Sequence, residues 1–272
     1  MKAPAPAKIN LGLVVGPLRP DGRHELLTVY QRLALADRIQ VEHSANGLRV
    51  EGYPADTLVR GALVALAART GADPAWTVRI EKRLPIAAGI GGGSSDAATA
   101  LRLANETLAS PLAPAELHEL AASLGADVPF FLVDGPQLGS GDGTTFAPLE
   151  LPQDFWVVLV VPDDATKPST GSVYAAFDAR DGAAGWDERR TAFLAALEAV
   201  RRPRDLAALP PNDLASSPLT DELRGLGAFH ADVSGAGPAV YGLFHHRAPA
   251  EAAKRALKRA GASWLTAPAW YG

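Results

Sequence analysis

The stretch from Leu84 to Leu101, L-P-I-A-A-G-I-G-G-G-S-S-D-A-A-T-A-L, places the tightest constraint on what this chain can fold into. Upstream, Trp76, Val78 and Ile80 alternate with polar residues, the period of a strand. Downstream, Ala97, Leu101, Ala104 and Leu108 recur at helical spacing. Between them stand Gly89, Gly91, Gly92 and Gly93. A strand, a glycine loop and a helix start together make an anion site. The first helical turn leaves backbone N–H groups unpaired, and the macrodipole adds partial positive charge there. Glycines let an anion approach the backbone. Ser94 and Ser95 add hydroxyls able to donate to a phosphate or ligate Mg²⁺. Asp96 is expected in the first turn, where a carboxylate suits the dipole. No Gly-Lys-Ser/Thr closes the loop, and Ser94 stands where the dinucleotide fingerprint needs its last glycine. The bland alternative is a glycine-rich turn with no ligand. Phosphate binding is the reading that uses every one of these residues.

Composition narrows the partners. The 272 residues suffice for one large or two ordinary domains, and 47% hydrophobic with 21% charged residues describes a globular chain. A net charge of −4 offers no footprint for nucleic acid or an anionic membrane, so an anionic ligand has to be held locally. With no cysteine there is no disulfide, thiolate zinc site or cysteine nucleophile. His245 and His246 are adjacent, which on a strand sends them to opposite faces and argues against a shared metal. The apolar run Leu11 to Val15 is too short for a signal peptide, and no run reaches the ~20 residues of a membrane helix. A cytoplasmic location is expected.

Along the chain, Ile9, Leu11 and Leu13 alternate with Lys8, Asn10 and Gly12, a strand with one polar face. Lys8 and Asn10 share that face, roughly 6–7 Å apart. Unaided, Lys8 reads equally well as a solvated edge lysine. Arg19 to Gly22 is a turn, His24 follows it, and Leu26 to Leu35 is a further strand. Ile39–Glu42 and Leu48–Val50 read as two short strands joined at Asn46-Gly47 as a hairpin. Ala55 to Thr70 is a helix with Asp56 as cap and Gly71 as stop. Ala113 to Leu124 is another, with Pro114 in its first turn and Gly125 after it. Asp127 then stands before an apolar Val-Pro-Phe-Phe run, either as a helix cap or as a candidate base. Gly139 to Gly143 reads as a mobile turn. Phe155 to Val161 is a buried strand, and a domain boundary before it divides the chain into 1–150 and 151–272. Asp163 to Ser172 is a polar loop, Arg190 to Val200 a helix, and Asn212-Asp213-Leu214 a cap for a further helix. Ala231 to Phe244 is strand, glycine turn and strand. Ala250 to Ala260 is a helix whose Lys254, Arg255, Lys258 and Arg259 form a solvated face. Trp264 is expected to close the core. Both halves mix helix and strand, an α+β pattern.

Six stretches in chain order resemble one family: P-A-K-I-N-L at 6–11, P-D-G-R-H-E-L at 20–26, L-P-I-A-A-G-I-G-G-G-S-S-D-A-A at 84–98, L-G-A-D-V-P-F-F at 124–131, P-N-D-L at 211–214 and S-G-A-G-P-A-V at 234–240. They are similar to the GHMP kinase superfamily. The first and fourth stretches point within it to the members acting on a cytidine diphosphate-linked methylerythritol. The resemblance implies a GHMP kinase fold: a ribosomal protein S5 domain 2-like N-terminal domain, a ferredoxin-like C-terminal domain and a cleft site between them. It implies transfer of the ATP γ-phosphate to a tertiary hydroxyl, on the non-mevalonate route to isoprenoids. By the same resemblance, Asp127 is the catalytic base and Lys8 the catalytic lysine. A carboxylate suits a crowded alcohol that must lose its proton, and an ammonium offsets charge on the transferring group. Pro85, Ala87, Ala88, Gly89, Ile90, Gly91, Gly92, Gly93, Ser94, Ser95 and Asp96 are expected to bind ATP. Asn10, Arg23, His24, Tyr174, Gly235 and Gly237 are expected to bind the substrate, His24 through the cytosine edge.

The chain departs from the family pattern in places. Arg23 stands where many members have a base-stacking Tyr; a guanidinium plane also stacks on bases. Tyr174 matches an aromatic on the base's other side. Ala87-Ala88 replace frequent glycines. No Glu stands out as a ligand for Mg²⁺, so the metal is expected to ride on the ATP phosphates, with Ser94 or Ser95 as the protein oxygen. Three other readings are weighed. A kinase or decarboxylase for a small alcohol needs no base-recognition pair such as His24 and Tyr174. A non-catalytic regulator needs neither Lys8 nor Asp127. An RNA-binding S5-like module conflicts with the net charge.

Overall fold

The computed structural model describes residues 1–163 and 169–269; residues 164–168, inside the polar loop read from Asp163 to Ser172, and 270–272 lie outside the described residues. The chain opens with two long strands, β1 (Lys2–Leu18) and β2 (His24–His43), and a short β3 (Arg49–Glu51). α1 (Leu58–Thr70), β4 (Trp76–Glu81), α2 (Gly92–Asn105) and α3 (Pro114–Leu124) follow. After a 3-10 turn at Pro129–Leu132 come β5 (Gln137–Gly141) and β6 (Thr145–Pro148). Next are β7 (Trp156–Pro162), α4 (Thr170–Ala179), α5 (Trp186–Glu198) and, past a 3-10 turn at Pro203–Ala208, α6 (Leu219–Gly225). The chain closes with β8 (His230–Val233), β9 (Val240–Phe244), α7 (Arg247–Ala256) and β10 (Gly261–Thr266).

Two compact units form: Met1–Ala7, Leu35–Ile86 and Gly91–Asp134 in the first, and Lys8–Ala34, Ala87–Ile90 and Gly135–Gly272 in the second. In the first unit the far half of β2, from Arg38 to His43, pairs antiparallel with β4, and β3 pairs parallel with β4. The alternation of Trp76, Val78 and Ile80 sends these three inward, as read. α1 packs on α2 and α3, burying Val59, Leu63 and Leu66 with Ala97, Ala98, Leu101 and Leu117.

In the second unit Leu26 to Tyr30 of β2 pair with β5, and β5 turns back into β6. A separate sheet has the order β10-β7-β9-β8, all antiparallel. Counted within that sheet the order is fourth, first, third, second, with helices between the first and second strands and between the third and fourth. This is the βαββαβ ferredoxin-like arrangement that the family resemblance implies. Val157 to Val160 are all buried, which explains why β7 reads as an unbroken apolar run. α6 and α7 cover one face, joining Leu223, Ala250, Ala253 and Leu257 to Val158, Val160, Val233, Val240 and Phe244. Among the described residues, no helix is long and apolar enough to cross a membrane.

Several local expectations are corrected. β2 does not break at Asp37. That carboxylate is fully buried yet satisfied by Lys82 and by the N–H groups of Arg83 and Leu84, so the strand runs on. Asn46-Gly47 joins no hairpin, because β4 lies between β2 and β3. The Gly139–Gly143 run is largely strand: Gly139 to Gly141 belong to β5, and Tyr30 covers the space a Gly139 side chain would need. α4 occupies the end of what reads as loop, its Ser169 oxygen accepting from the Ser172 N–H. Asn212 caps no helix, since α6 begins only at Leu219. Trp264 is half-buried on β10 rather than closing a core.

Gly242 sits on β9 beneath α6, and a Cβ there would stand 2.9 Å from Leu223 and 3.2 Å from Ala228. Gly242→Ala is expected to cost ~1–3 kcal/mol by overpacking. In α1 a Cβ on Gly61 meets nothing, so Gly61→Ala is expected to gain ~0.5–1 kcal/mol. Urea unfolding of both variants checks this pair. A Gly242→Ala midpoint equal to wild type would show that α6 tolerates the added methyl.

Candidate active site

In the first unit β4 ends at Glu81, and the chain passes through Lys82 to Pro85 before resuming at Gly91 as the N-cap of α2. No side chain caps that helix. Gly92 and Ser94 are half-exposed and Gly93 is exposed, so the first-turn N–H groups face a site an anion can reach. Ser95 is fully buried, and its Oγ has no hydrogen-bond partner. An orphaned hydroxyl beside a helix start fits a group that supplies acceptors or a cation.

Asp96 lies past the first turn of α2, not in it. It is 2% exposed, and its Oδ2 accepts from the Lys82 ammonium at 2.8 Å while its Oδ1 has no partner. Lys82 also pairs with Asp37, whose second oxygen takes the N–H groups of Arg83 and Leu84. The cluster thus ties the segment entering the glycine loop to the helix leaving it. Burial and the Asp37 charge push the Asp96 carboxyl up to about 7, against the opposing pull of Lys82. Burial alone would lower Lys82, but its bonds to the two carboxylates outweigh that and raise it. Asp127, also in this unit, is half-buried in the turn between α3 and the Pro129–Leu132 helix.

In the second unit the structure brings Lys8, Asn10, Gly89, Gly235 and Gly237 together. Lys8 is 3% exposed; its Nζ donates to Asn10 Oδ1 at 2.8 Å and lies 5.5 Å from the Tyr30 ring centroid. Asn10 Nδ2 donates to Thr28 Oγ1 at 2.9 Å, and Thr28 donates to the Gly12 carbonyl at 2.7 Å. A Cβ on Gly235 would lie 3.4 Å from Asn10 Oδ1 and 3.5 Å from Lys8 Nζ, so a side chain there would point at the pair. Gly89, at φ 81°, has no room for a side chain: its Cβ would stand 2.5 Å from the Gly237 carbonyl. The Lys8 N–H donates to Ile90 O and the Ala239 N–H to Ala88 O, each at 2.9 Å. Ala87 adopts φ 56°, a left-handed conformation that costs a non-glycine residue ~1 kcal/mol. Asn212 donates to Val233 O and Gly235 O, fixing the second glycine turn. Beneath it, burial pushes Asp232 up to about 6, against bonds from the Val233 and Asn212 N–H groups.

His24 and Tyr174 meet directly. Their rings stack at 5.2 Å and 24°, and Phe177 meets the His24 edge at 5.7 Å. His24 Nδ1 lies 2.8 Å from Gly16 O, an acceptor only, which places a proton on that nitrogen; Nε2 lies 3.2 Å from Asp178. Arg23 is exposed and pairs with Asp142 in the β5–β6 turn. Thr28, Asp37, Lys82, Asp142, Asp178 and the true task of Asn212 escaped sequence reasoning. Only Thr28 left a signal there, as a polar residue within the apolar run Leu26 to Tyr30.

The whole chain is similar to known proteins. The family described as GHMP kinases N terminal domain matches residues 57–135, and GHMP kinases C terminal matches 206–263. A 4-diphosphocytidyl-2-C-methyl-D-erythritol kinase of Anaeromyxobacter sp. (strain K) is 40% identical over 272 residues, covering 93% of this chain and 84% of its own. The protein of that name from Geobacter sulfurreducens is 35% identical, covering 97% and 96%. A crystal structure of 4-(cytidine 5'-diphospho)-2C-methyl-D-erythritol kinase superposes with a TM-score of 0.81 at 32% identity over the full length of both chains. A mevalonate kinase structure, at 12% identity and a TM-score of 0.75, shares the fold.

Because Asp96 holds its proton to about 7 when folded, against 3.8 as the ordinary value, the folded chain binds more protons than the unfolded one across that interval. Stability from this group therefore falls as pH rises through the window, by roughly 2–4 kcal/mol. Asp96→Asn keeps the Lys82–Asp37 pair and is expected to flatten the slope. Urea midpoints of wild type and variant from pH 4.5 to 8 read it out. Parallel curves would remove Asp96 as the source.

Proposed function

The chain belongs to the 4-diphosphocytidyl-2-C-methyl-D-erythritol kinase family of the GHMP kinases, and from that premise we propose that it carries out the reaction for which its relatives are named. The terminal phosphoryl group of ATP passes to the 2-hydroxyl of 4-diphosphocytidyl-2-C-methyl-D-erythritol. The products are the 2-phosphate and ADP, on the non-mevalonate route to isopentenyl diphosphate. The observation that carries this reading is the full-length relationship: identities of 35–40% extend over 93–97% of the chain. The two family matches also fall on either side of the proposed 150/151 division.

The residue roles are part of the proposal. The first-turn N–H groups of α2 hold ATP phosphate oxygens, and Gly89 to Gly91 let the backbone approach them. Among the described residues no three His, Asp or Glu side chains converge as a metal site. Mg²⁺ would accordingly be held mainly by the phosphates, with Ser94 or Ser95 adding one oxygen, and when bound it neutralises charge on the β- and γ-oxygens. Asp127 takes the hydroxyl proton as the oxygen attacks phosphorus. The Lys8 ammonium, kept from water, stabilises charge on the group in transfer. Asn10, which accepts from Lys8, and the Gly235 turn contact the acceptor. The nucleobase is read by His24, Arg23 and Tyr174.

ADP release with ATP and Mg²⁺ is expected with the cytidyl acceptor and not with homoserine or mevalonate; turnover of a small alcohol instead would overturn the substrate assignment. Asp127→Asn is expected to lower kcat by at least ~100-fold with ATP affinity retained. Near-normal turnover in that variant would remove the base role.

A further inference from the structure

We propose that Thr28 is a positioning residue for the reaction centre, setting the direction of a one-way hydrogen-bond relay that aims the Asn10 carbonyl oxygen at the Lys8 ammonium. The proposal rests on the reading that Lys8 and Asn10 serve the reaction. The relay runs from Lys8 Nζ to Asn10 Oδ1 at 2.8 Å, from Asn10 Nδ2 to Thr28 Oγ1 at 2.9 Å, and from Thr28 Oγ1 to Gly12 O at 2.7 Å. All three side chains are buried, at 3%, 3% and 0% exposure.

Donor and acceptor chemistry decides the direction. The Gly12 carbonyl only accepts, so the Thr28 hydroxyl spends its single proton there. Its oxygen then faces Asn10 as an acceptor, and the group opposite has to be the amide NH₂. That leaves Oδ1 toward Lys8, whose ammonium only donates. One backbone carbonyl at one end and one ammonium at the other leave a single arrangement of the atoms between them.

The backbone of Asn10 is held separately. Tyr241 donates to the Asn10 carbonyl at 2.9 Å, and His230 Nε2 lies 3.2 Å from the same phenol oxygen. With the main chain pinned, the remaining freedom of Asn10 is rotation of its amide. Without the Thr28 hydroxyl the ammonium alone orients the amide, the Asn10 NH₂ loses its acceptor in a buried space, and the amide must rotate to find another or flip its NH₂ toward the ammonium. Two donors then face each other in a buried space, and the ammonium has to move.

The test compares Thr28→Val, which keeps the branched shape without the hydroxyl, with Thr28→Ser, which keeps the hydroxyl. Thr28→Val is expected to lose ~10–100-fold in kcat, the scale of an ångström misplacement of a catalytic group, with the Michaelis constant for ATP little changed. Thr28→Ser is expected to hold kcat within ~3-fold. Independently of activity, the Asn10 side-chain NH₂ protons of the ¹⁵N-labelled full chain are expected to exchange slowly with solvent in wild type and Thr28→Ser, and fast in Thr28→Val. If Thr28→Val does not fold, Thr28→Ala replaces it in both measurements. Retained kcat in the hydroxyl-free variant, an equal fall in Thr28→Ser, or slow exchange surviving loss of the hydroxyl would each overturn the proposal. A wild type without kinase activity would overturn the functional reading, and the exchange measurement would still decide whether Thr28 orients the amide.

Discussion

A Cβ on Gly89 would stand 2.5 Å from the Gly237 carbonyl oxygen and 2.8 Å from that of Ser234, closer than any side chain can sit. The second unit depends on this approach of backbone to backbone. It lets Ser234 Oγ donate to Gly89 O, Ala239 N to Ala88 O and Lys8 N to Ile90 O, three bonds that seat residues 88–90 between β1 and the turn after β8. Each such bond contributes only ~1 kcal/mol net, but leaving the buried groups unpaired would cost more. Lys8 belongs to this lattice through its main chain, so its side chain starts from a fixed point. Asn212 completes the arrangement from the other side by holding Val233 O and Gly235 O.

The first unit solves a different problem. Asp37 and Asp96 are both buried around a single ammonium, Lys82. Taking an ion out of water costs several kcal/mol, while a pair at contact distance recovers about 4 kcal/mol at the effective dielectric of a protein. One pair breaks roughly even, and a second buried carboxylate without its own cation does not. The balance is restored by keeping a proton on Asp96, which is why its carboxyl moves up while Asp37 remains free to accept from Arg83 N and Leu84 N. The Lys82 bonds to both carboxylates and the Asp37 bonds from Arg83 N and Leu84 N hold the entry to the glycine loop in register with α2.

Much of this was legible in the residues. The period-two pattern of Trp76, Val78 and Ile80, the apolar run of β7 and the glycine loop between strand and helix each carry their structure in local spacing. The α+β class followed from them, as did the ferredoxin-like sheet once the family resemblance was added. What stayed hidden depends on partners distant in sequence. The strands read as Leu26–Leu35 and Ile39–Glu42 are one, because the donors that satisfy Asp37 between them lie more than forty residues away. Asn212 looked like a helix cap because its side chain answers carbonyls in the turn after β8. The stacking of Tyr174 on His24 needs α4, whose start is set by one serine cap in a polar stretch. Local propensity cannot report a bond whose other half is elsewhere in the chain.

A net charge of −4 sets the final constraint on a protein read as handling two polyanionic ligands. The overall field is repulsive, though screened beyond about 8 Å at physiological ionic strength. Attraction must therefore be short-ranged: a helix N-terminus worth up to ~2 kcal/mol in a partly buried setting, and one ammonium kept out of water. Short-range electrostatics reward placement far more than charge count, because each term decays within a few ångströms while desolvation is already spent. A chain that relies on one buried lysine has to control where that lysine points. Asn10 of β1 and Thr28 of β2 are where the sequence sets a hydrogen-bonded chain between two strands to do so.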